Sequence, residues 1–147
     1  FASSHFLLFE DGTREPLHGH NYRVAFHGHG QELKADMVFD FLDIKPLIRE
    51  ICDSLDHKLL LPKENEKLRI ETQENSYIVR CLDQSEFKFP ISDVLLLPIS
   101  NTSAERIAIY IGEQLKEKVW QRFSFKFNHF EIEVEETPGQ SAIVQFS

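Results

Sequence analysis

Polar and apolar residues alternate with period two near both ends of the chain, and two intervening stretches carry apolar residues at helical spacing. Phe1, Ser3, His5, Leu7 and Phe9 share one row, which predicts a strand over residues 1–9. After the turn-rich "EDGTREP", a second row of His18, His20, Tyr22, Val24 and Phe26 predicts another strand. "HGHGQELKAD" reads as a hairpin turn and "DMVFDF" as its return strand. Ile44, Leu47, Ile48, Ile51 and Leu55 form the stripe of an amphipathic helix, with Asp43 as N-cap and Pro46 tolerated in the first turn. "DHKLLLP" closes that helix, and residues 66–89 alternate like a hairpin, "KLRIET" and "SYIVRCL", followed by "EFKFP". Thr102 and Glu105 have the spacing of a capping box, which predicts a second helix to about Val119. "FKFNHFEIEVEET" reads as a long strand, paired with "SAIVQFS" across the Pro138-Gly139 turn. This order predicts an α+β domain: an antiparallel sheet, two helices on one face, and an added hairpin.

Composition narrows the function classes. With 147 residues the chain fits one domain, and 41% hydrophobic content with 13 Phe is enough for an ordinary core. A net charge of −8 argues against nucleic acid or an anionic membrane surface as main partner. No apolar run approaches the ~20 residues of a membrane span, and nothing at the start reads as a signal segment. Cys52 and Cys81 make no disulfide framework, so a reduced, cytoplasmic setting is expected.

The chemistry concentrates in "LHGHNYRVAFHGHGQ", which holds His-Gly-His twice. Parity separates the copies. His18 and His20 belong to the row of Tyr22, Val24 and Phe26, which faces the covered side. His27 falls on the opposite row, and His29 is expected in a solvent-facing turn. His5, on the covered row of the neighbouring strand, completes a set of three. Three imidazoles that leave a coordination position open are the ligand set of a catalytic zinc.

"FASSHF", "LHGHNYRV", "MVFDFLDIK", "LDH", the Thr/Ser-x-Glu helix start and "VEET" occur in the order found in 6-pyruvoyltetrahydropterin synthase and its relatives, which this sequence resembles from Phe1 nearly to its end. The resemblance implies a tunnelling fold: four antiparallel strands and two helices per subunit, joined into trimers that stack as hexamers. It implies zinc on His5, His18 and His20, and a dihydropterin substrate bound between subunits of a homo-oligomer. It implies Asp56 and His57 as a proton-relay pair, Glu136 as the carboxylate gripping the pterin, and Thr102, Ser103 and Glu105 as the helix start lining the pocket. The last long strand agrees on Glu136, because it ends the row of Phe130, Ile132 and Val134, whereas Glu131, Glu133 and Glu135 occupy the solvated row. An insert over about residues 63–92 interrupts the resemblance within an otherwise single domain, 1–147.

One departure bears on activity. Relatives of this type carry a catalytic cysteine shortly before His-Gly-His, but "GTREPLHGH" has none. Glu15 stands three residues before His18, and Glu-x-x-His-Gly-His resembles a branch in which glutamate replaces the cysteine and the side chain of dihydroneopterin triphosphate is cleaved to 6-hydroxymethyl-dihydropterin. A carboxylate beside a divalent cation suits deprotonation of a hydroxyl that the metal has acidified. Glu10 is a rival for that role. Two alternatives stay open: a 6-pyruvoyl- or 6-carboxy-tetrahydropterin product with His57 as main base, and a non-catalytic pterin- or metal-binding homologue.

Overall fold

The computed structural model describes residues 1–30 and 37–147. The chain runs β1 (Ala2–His5), β2 (His18–Asn21), β3 (Arg23–His29), α1 (Phe41–Leu55), β4 (Lys58–Pro62), β5 (Leu68–Gln73), β6 (Ser76–Cys81), β7 (Glu86–Pro90), β8 (Val94–Leu97), α2 (Ala104–Phe123), β9 (His129–Thr137) and β10 (Gln140–Phe146). The fold is α+β. β3, β9 and β10 form an antiparallel sheet with β9 central. β1 pairs antiparallel with β2 on one side and parallel with β4 on the other, and β8 adds parallel to β4. β5, β6 and β7 make a separate antiparallel meander.

Both helices close the main core. Ile44, Leu47, Ile51 and Leu55 of α1 meet Ile107, Ile111, Leu115 and Val119 of α2 over Phe130, Ile132 and Val134 of β9. Burial on β9 alternates as its sequence demands, with Glu131, Glu133 and Glu135 on the outer row. The packing is tight where α2 crosses β10: a Cβ on Gly112 would lie 2.1 Å from Cζ of Phe146, whose ring stacks 4.7 Å from that of Phe130. Gly112→Ala is therefore expected to lower stability by about 1–3 kcal/mol net, because overpacking outweighs the ~1 kcal/mol that alanine gains in a helix. The check is a lower urea midpoint at unchanged m-value.

Several expectations are corrected. Residues 6–9 leave the sheet, and β1 ends at His5, because Phe6 and Leu8 enter a second core with Leu59, Leu61 and Val79. The expected row through Phe26 is two strands, broken at Tyr22. Of the return strand expected in "DMVFDF", Asp36 lies outside the described residues, Val38 and Phe39 bend, and Phe41 opens α1. Phe39 instead joins the rings of Phe123, Phe125 and Phe127. The N-cap of α1 is Asp40, whose carboxylate accepts from the Leu42 N–H, and not Asp43. "DHKLLLP" is largely β4, whose Leu60 and Leu61 are fully buried; a strand covered on both faces shows no alternation to read. The Thr102–Glu105 capping box does not form. Ser103 caps α2 by accepting from the Arg106 N–H, and the helix continues past Val119 to Phe123. The expected hairpin is a three-stranded meander, with "EFKFP" as β7.

Candidate functional site

β1 and β2 bring three histidines together by register. His5 stands opposite His18, and Ser3 opposite His20. Gly19 lets the strands approach closely between the two β2 histidines, since a Cβ there would lie 3.0 Å from the Ser3 carbonyl oxygen. Potential ligand atoms of His5, His18 and His20 all lie within 4.8 Å of one another.

Each Nδ1 has an oxygen partner that orients its ring. His5 Nδ1 donates to the Thr102 carbonyl at 2.9 Å, His18 Nδ1 to the Pro16 carbonyl at 2.8 Å, and His20 Nδ1 lies 3.5 Å from the Thr137 hydroxyl. With the proton on Nδ1, each Nε2 keeps its lone pair, and His18 Nε2 and His20 Nε2 stand only 3.0 Å apart. His5 Nε2 is buried with no hydrogen-bond partner among the described residues. Burial, more than any other influence, lowers the His5 pKa to about 4, so its imidazole is neutral near pH 7. Three clustered imidazoles whose Nδ1 atoms each have an oxygen partner are the donor set that a divalent zinc requires of three histidines, so the residues fit the metal.

Two carboxylates and a phenol border this cluster. Glu15 Oε2 lies 3.9 Å from His18 Nε2 and accepts from the Leu7 N–H at 3.2 Å. Glu136 has a buried Oε1 with no hydrogen-bond partner among the described residues, and burial raises its pKa. Tyr22, not foreseen as a site residue, has a buried hydroxyl with no partner among the described residues, and its ring lies 6.0 Å from His5 and 5.5 Å from His20. Burial first, and then the negative charge of Glu136, holds it as a phenol. Its place on the row of His18 and His20 was the available signal.

The other predicted residues divide. Ser103, Glu105 and Glu136 line one pocket of about 200 Å3 with Leu7 and Gln140. Thr102 is fully buried and turned inward: its hydroxyl donates to the Phe6 carbonyl and its own carbonyl holds His5. Asp56 and His57 form a pair at 2.7 Å, and Asp56 also accepts from the Ala2 N–H, the main reason its pKa is lowered. His57 is exposed and borders a pocket other than that of Glu136, lined by Ala2, Gly19, Asn21 and His20 among others, and among the described residues no hydrogen bond or ion pair joins it to the triad or Glu136.

Glu10 is exposed at the turn before Gly12, with no bond to the histidines among the described residues. Burial raises both cysteine thiols, in α1 and β6, opposite to what a thiolate nucleophile needs. His27 and His29 share the outer row of β3. His29 is in the strand rather than a turn, faces His129, and lies 3.9 Å from Glu131.

An α+β chain that gathers three imidazoles, a loop glutamate and a buried carboxylate has the architecture of the tunnelling-fold pterin enzymes. The chain belongs to the 6-pyruvoyl tetrahydropterin synthase family, a tetrahydropterin synthase-like family of pterin biosynthesis, which matches residues 1–146. Among solved structures, 6-pyruvoyl tetrahydropterin synthase from Plasmodium vivax superposes with a TM-score of 0.93 at 36% identity, over 100% of this chain and 91% of that one. The Plasmodium falciparum counterpart gives 0.89 at 38% identity, over 99% and 90%. The Plasmodium vivax protein has also been solved with a glutamate described as catalytic replaced by alanine and by cysteine. 6-Carboxy-5,6,7,8-tetrahydropterin synthase of Haemophilus influenzae is 31% identical over 121 residues, 79% of this chain and 77% of that protein. No helix among the described residues is long and apolar enough to cross a membrane.

Proposed function

We propose that this protein is a zinc-dependent lyase that cleaves the side chain of dihydroneopterin triphosphate to 6-hydroxymethyl-dihydropterin, a folate precursor, with Glu15 as acid/base. The observation that carries the reading is the Glu15 carboxylate 3.9 Å from His18 Nε2, on a loop that has no cysteine. The catalytic glutamate of the Plasmodium vivax relative supports it.

His5, His18 and His20 would hold the ion through Nε2. Bound there, zinc polarises side-chain oxygens and acidifies a hydroxyl. Glu136 binds the pterin: its free Oε1 accepts from the ring N–H and amino group, two donors that match one carboxylate. Tyr22, kept protonated, offers a hydroxyl donor beside it. Glu15 then takes the proton of the hydroxyl on the second side-chain carbon. That oxygen becomes an aldehyde as the bond to the first side-chain carbon breaks. The bonding pair passes to the first carbon, conjugated with the pterin ring, which takes up a proton. The triphosphate leaves on the two-carbon fragment, so atoms balance without oxidant or reductant.

The reading includes a homo-oligomer, a trimer or hexamer. A 200 Å3 open pocket is smaller than the ~300–1,000 Å3 usual for ligand sites. Among the described residues the Asp56–His57 pair neither lines this pocket nor bonds to the triad, so a neighbouring copy would supply it along with the missing wall. Asp56 then fixes the tautomer of His57, which relays the proton to carbon.

The test is mass identification of the product after zinc-loaded protein is incubated with dihydroneopterin triphosphate. Release of 6-hydroxymethyl-dihydropterin is expected. A 6-pyruvoyl or 6-carboxy product would instead favour His57 as main base, the outcome suggested by the Haemophilus influenzae relative's name. Unchanged substrate with zinc bound would leave a binding protein.

A further inference from the structure

The insert grips the loop that carries Glu15 at three points. Lys67 Nζ, just before β5, donates to the carbonyls of Phe9 and Glu10 at 3.1 and 2.8 Å. Leu82, after β6, sits over Gly12, where a Cβ would come within 3.0 Å of its Cδ1. Arg14 enters the meander: its guanidinium lies 4.7 Å from the Phe87 ring centre and 5.6 Å from that of Phe6. Its Nε donates to the Ser85 hydroxyl at 2.8 Å and lies 3.3 Å from Asp83 Oδ2. Ser85 in turn donates to the other oxygen of Asp83. The remaining face of the guanidinium turns back to the loop, as Nη1 donates to the Glu15 carbonyl at 2.9 Å.

Arg14 bridges Leu8 just before Glu15, and the two neighbouring side chains take different partners. The half-buried Arg14 side chain packs against the insert, and the Glu15 carboxylate lies 3.9 Å from His18. Glu15 itself is tied down by its N–H to the Leu7 carbonyl at 3.0 Å and by Leu7 N–H to its carboxylate at 3.2 Å. A planar fork of fixed donors, held against the stacked pair of Phe6 and Phe87 rings, sets the backbone at residue 14 in a way that a flexible ammonium does not.

We propose that the insert is a brace for the Glu15 loop, with Arg14 as the positioning residue that transmits its rigidity to the Glu15 carboxylate. The inference rests on the reading of Glu15 as acid/base. Catalytic groups lose rate steeply when displaced, by as much as ~10²-fold for about 1 Å, and a polar turn such as "EDGTREP" would not hold one by itself.

The experiment compares Arg14→Lys, Arg14→Ala and Ser85→Ala with Glu15→Gln in the full chain, measuring kcat and KM, zinc content, and amide exchange at Leu7 and Glu15. Arg14→Lys should lower kcat roughly ten- to a hundredfold with KM within about twofold, unchanged zinc content, and faster exchange at both amides. If Arg14→Lys and Arg14→Ala turn over like wild type while Glu15→Gln is inactive, the brace is overturned and the acid/base reading stands. If Glu15→Gln keeps full turnover, the acid/base reading fails, and exchange decides on the brace alone: acceleration in the Arg14 variants supports it and unchanged protection removes it. Should either Arg14 variant fail to fold, Ser85→Ala carries the same readouts.

Discussion

Glu15→Gln is expected to reduce turnover of dihydroneopterin triphosphate about a thousandfold, within the ~10²–10⁴ range for loss of a positioned acid or base. The substitution is nearly isosteric, and the Gln side-chain oxygen can still accept from the Leu7 N–H as Glu15 does at 3.2 Å. Fold, loop position and the three histidines should therefore be preserved, and the loss should fall on kcat with little change in KM. Single-turnover kinetics with product mass identification is the check. Full activity in Glu15→Gln would remove the glutamate from the mechanism and turn attention to the Asp56–His57 pair.

Loss of the metal should be the other large effect. Chelation of wild-type protein is expected to abolish turnover and lower Tm by about 10 °C: a ligand held at a thousand times its Kd stabilises by ~4 kcal/mol, and each kcal/mol moves Tm by ~2–4 °C at this chain length. His18→Ala should bind no zinc, lack turnover, and show no Tm response to chelator. His18 is the informative ligand because it is only half-buried, whereas His5 is 1% exposed and its removal would also open the core. Glu15→Gln should retain the chelator-sensitive Tm, which separates loss of the base from loss of the metal. Activity that persists after complete zinc removal, with Tm unmoved, would exclude the three-histidine site from the chemistry.

The parts of the site legible beforehand were those written in short-range pattern. The row His18, His20, Tyr22 and the parity of His5 followed from a period of two, and so did the separation of Glu136 from Glu131, Glu133 and Glu135. The opposite placement of His27 followed in the same way. Asp43 was mistaken for the cap because two acids stand three apart, and only the turn at Val38 and Phe39, drawn into an aromatic cluster, selects Asp40. Thr102 had the right spacing for a capping box, but its hydroxyl is engaged by Phe6, 96 residues away.

By itself, the sequence determined that this is an α+β chain with two amphipathic helices, a histidine-lined strand pair and a glutamate in place of the loop cysteine, because side-chain periodicity and motif spacing are local properties. Tertiary structure alone decided what makes those residues a site. It turned the Thr102 carbonyl onto His5, laid β4 parallel beside β1 and β8 beside β4, placed His57 in a pocket other than that of Glu136, and anchored Arg14 in the insert. These depend on groups far apart in the chain meeting through the packing of two cores, as in Ala2 with Asp56, Arg14 with Ser85 and His5 with Thr102, and no local pattern encodes such meetings.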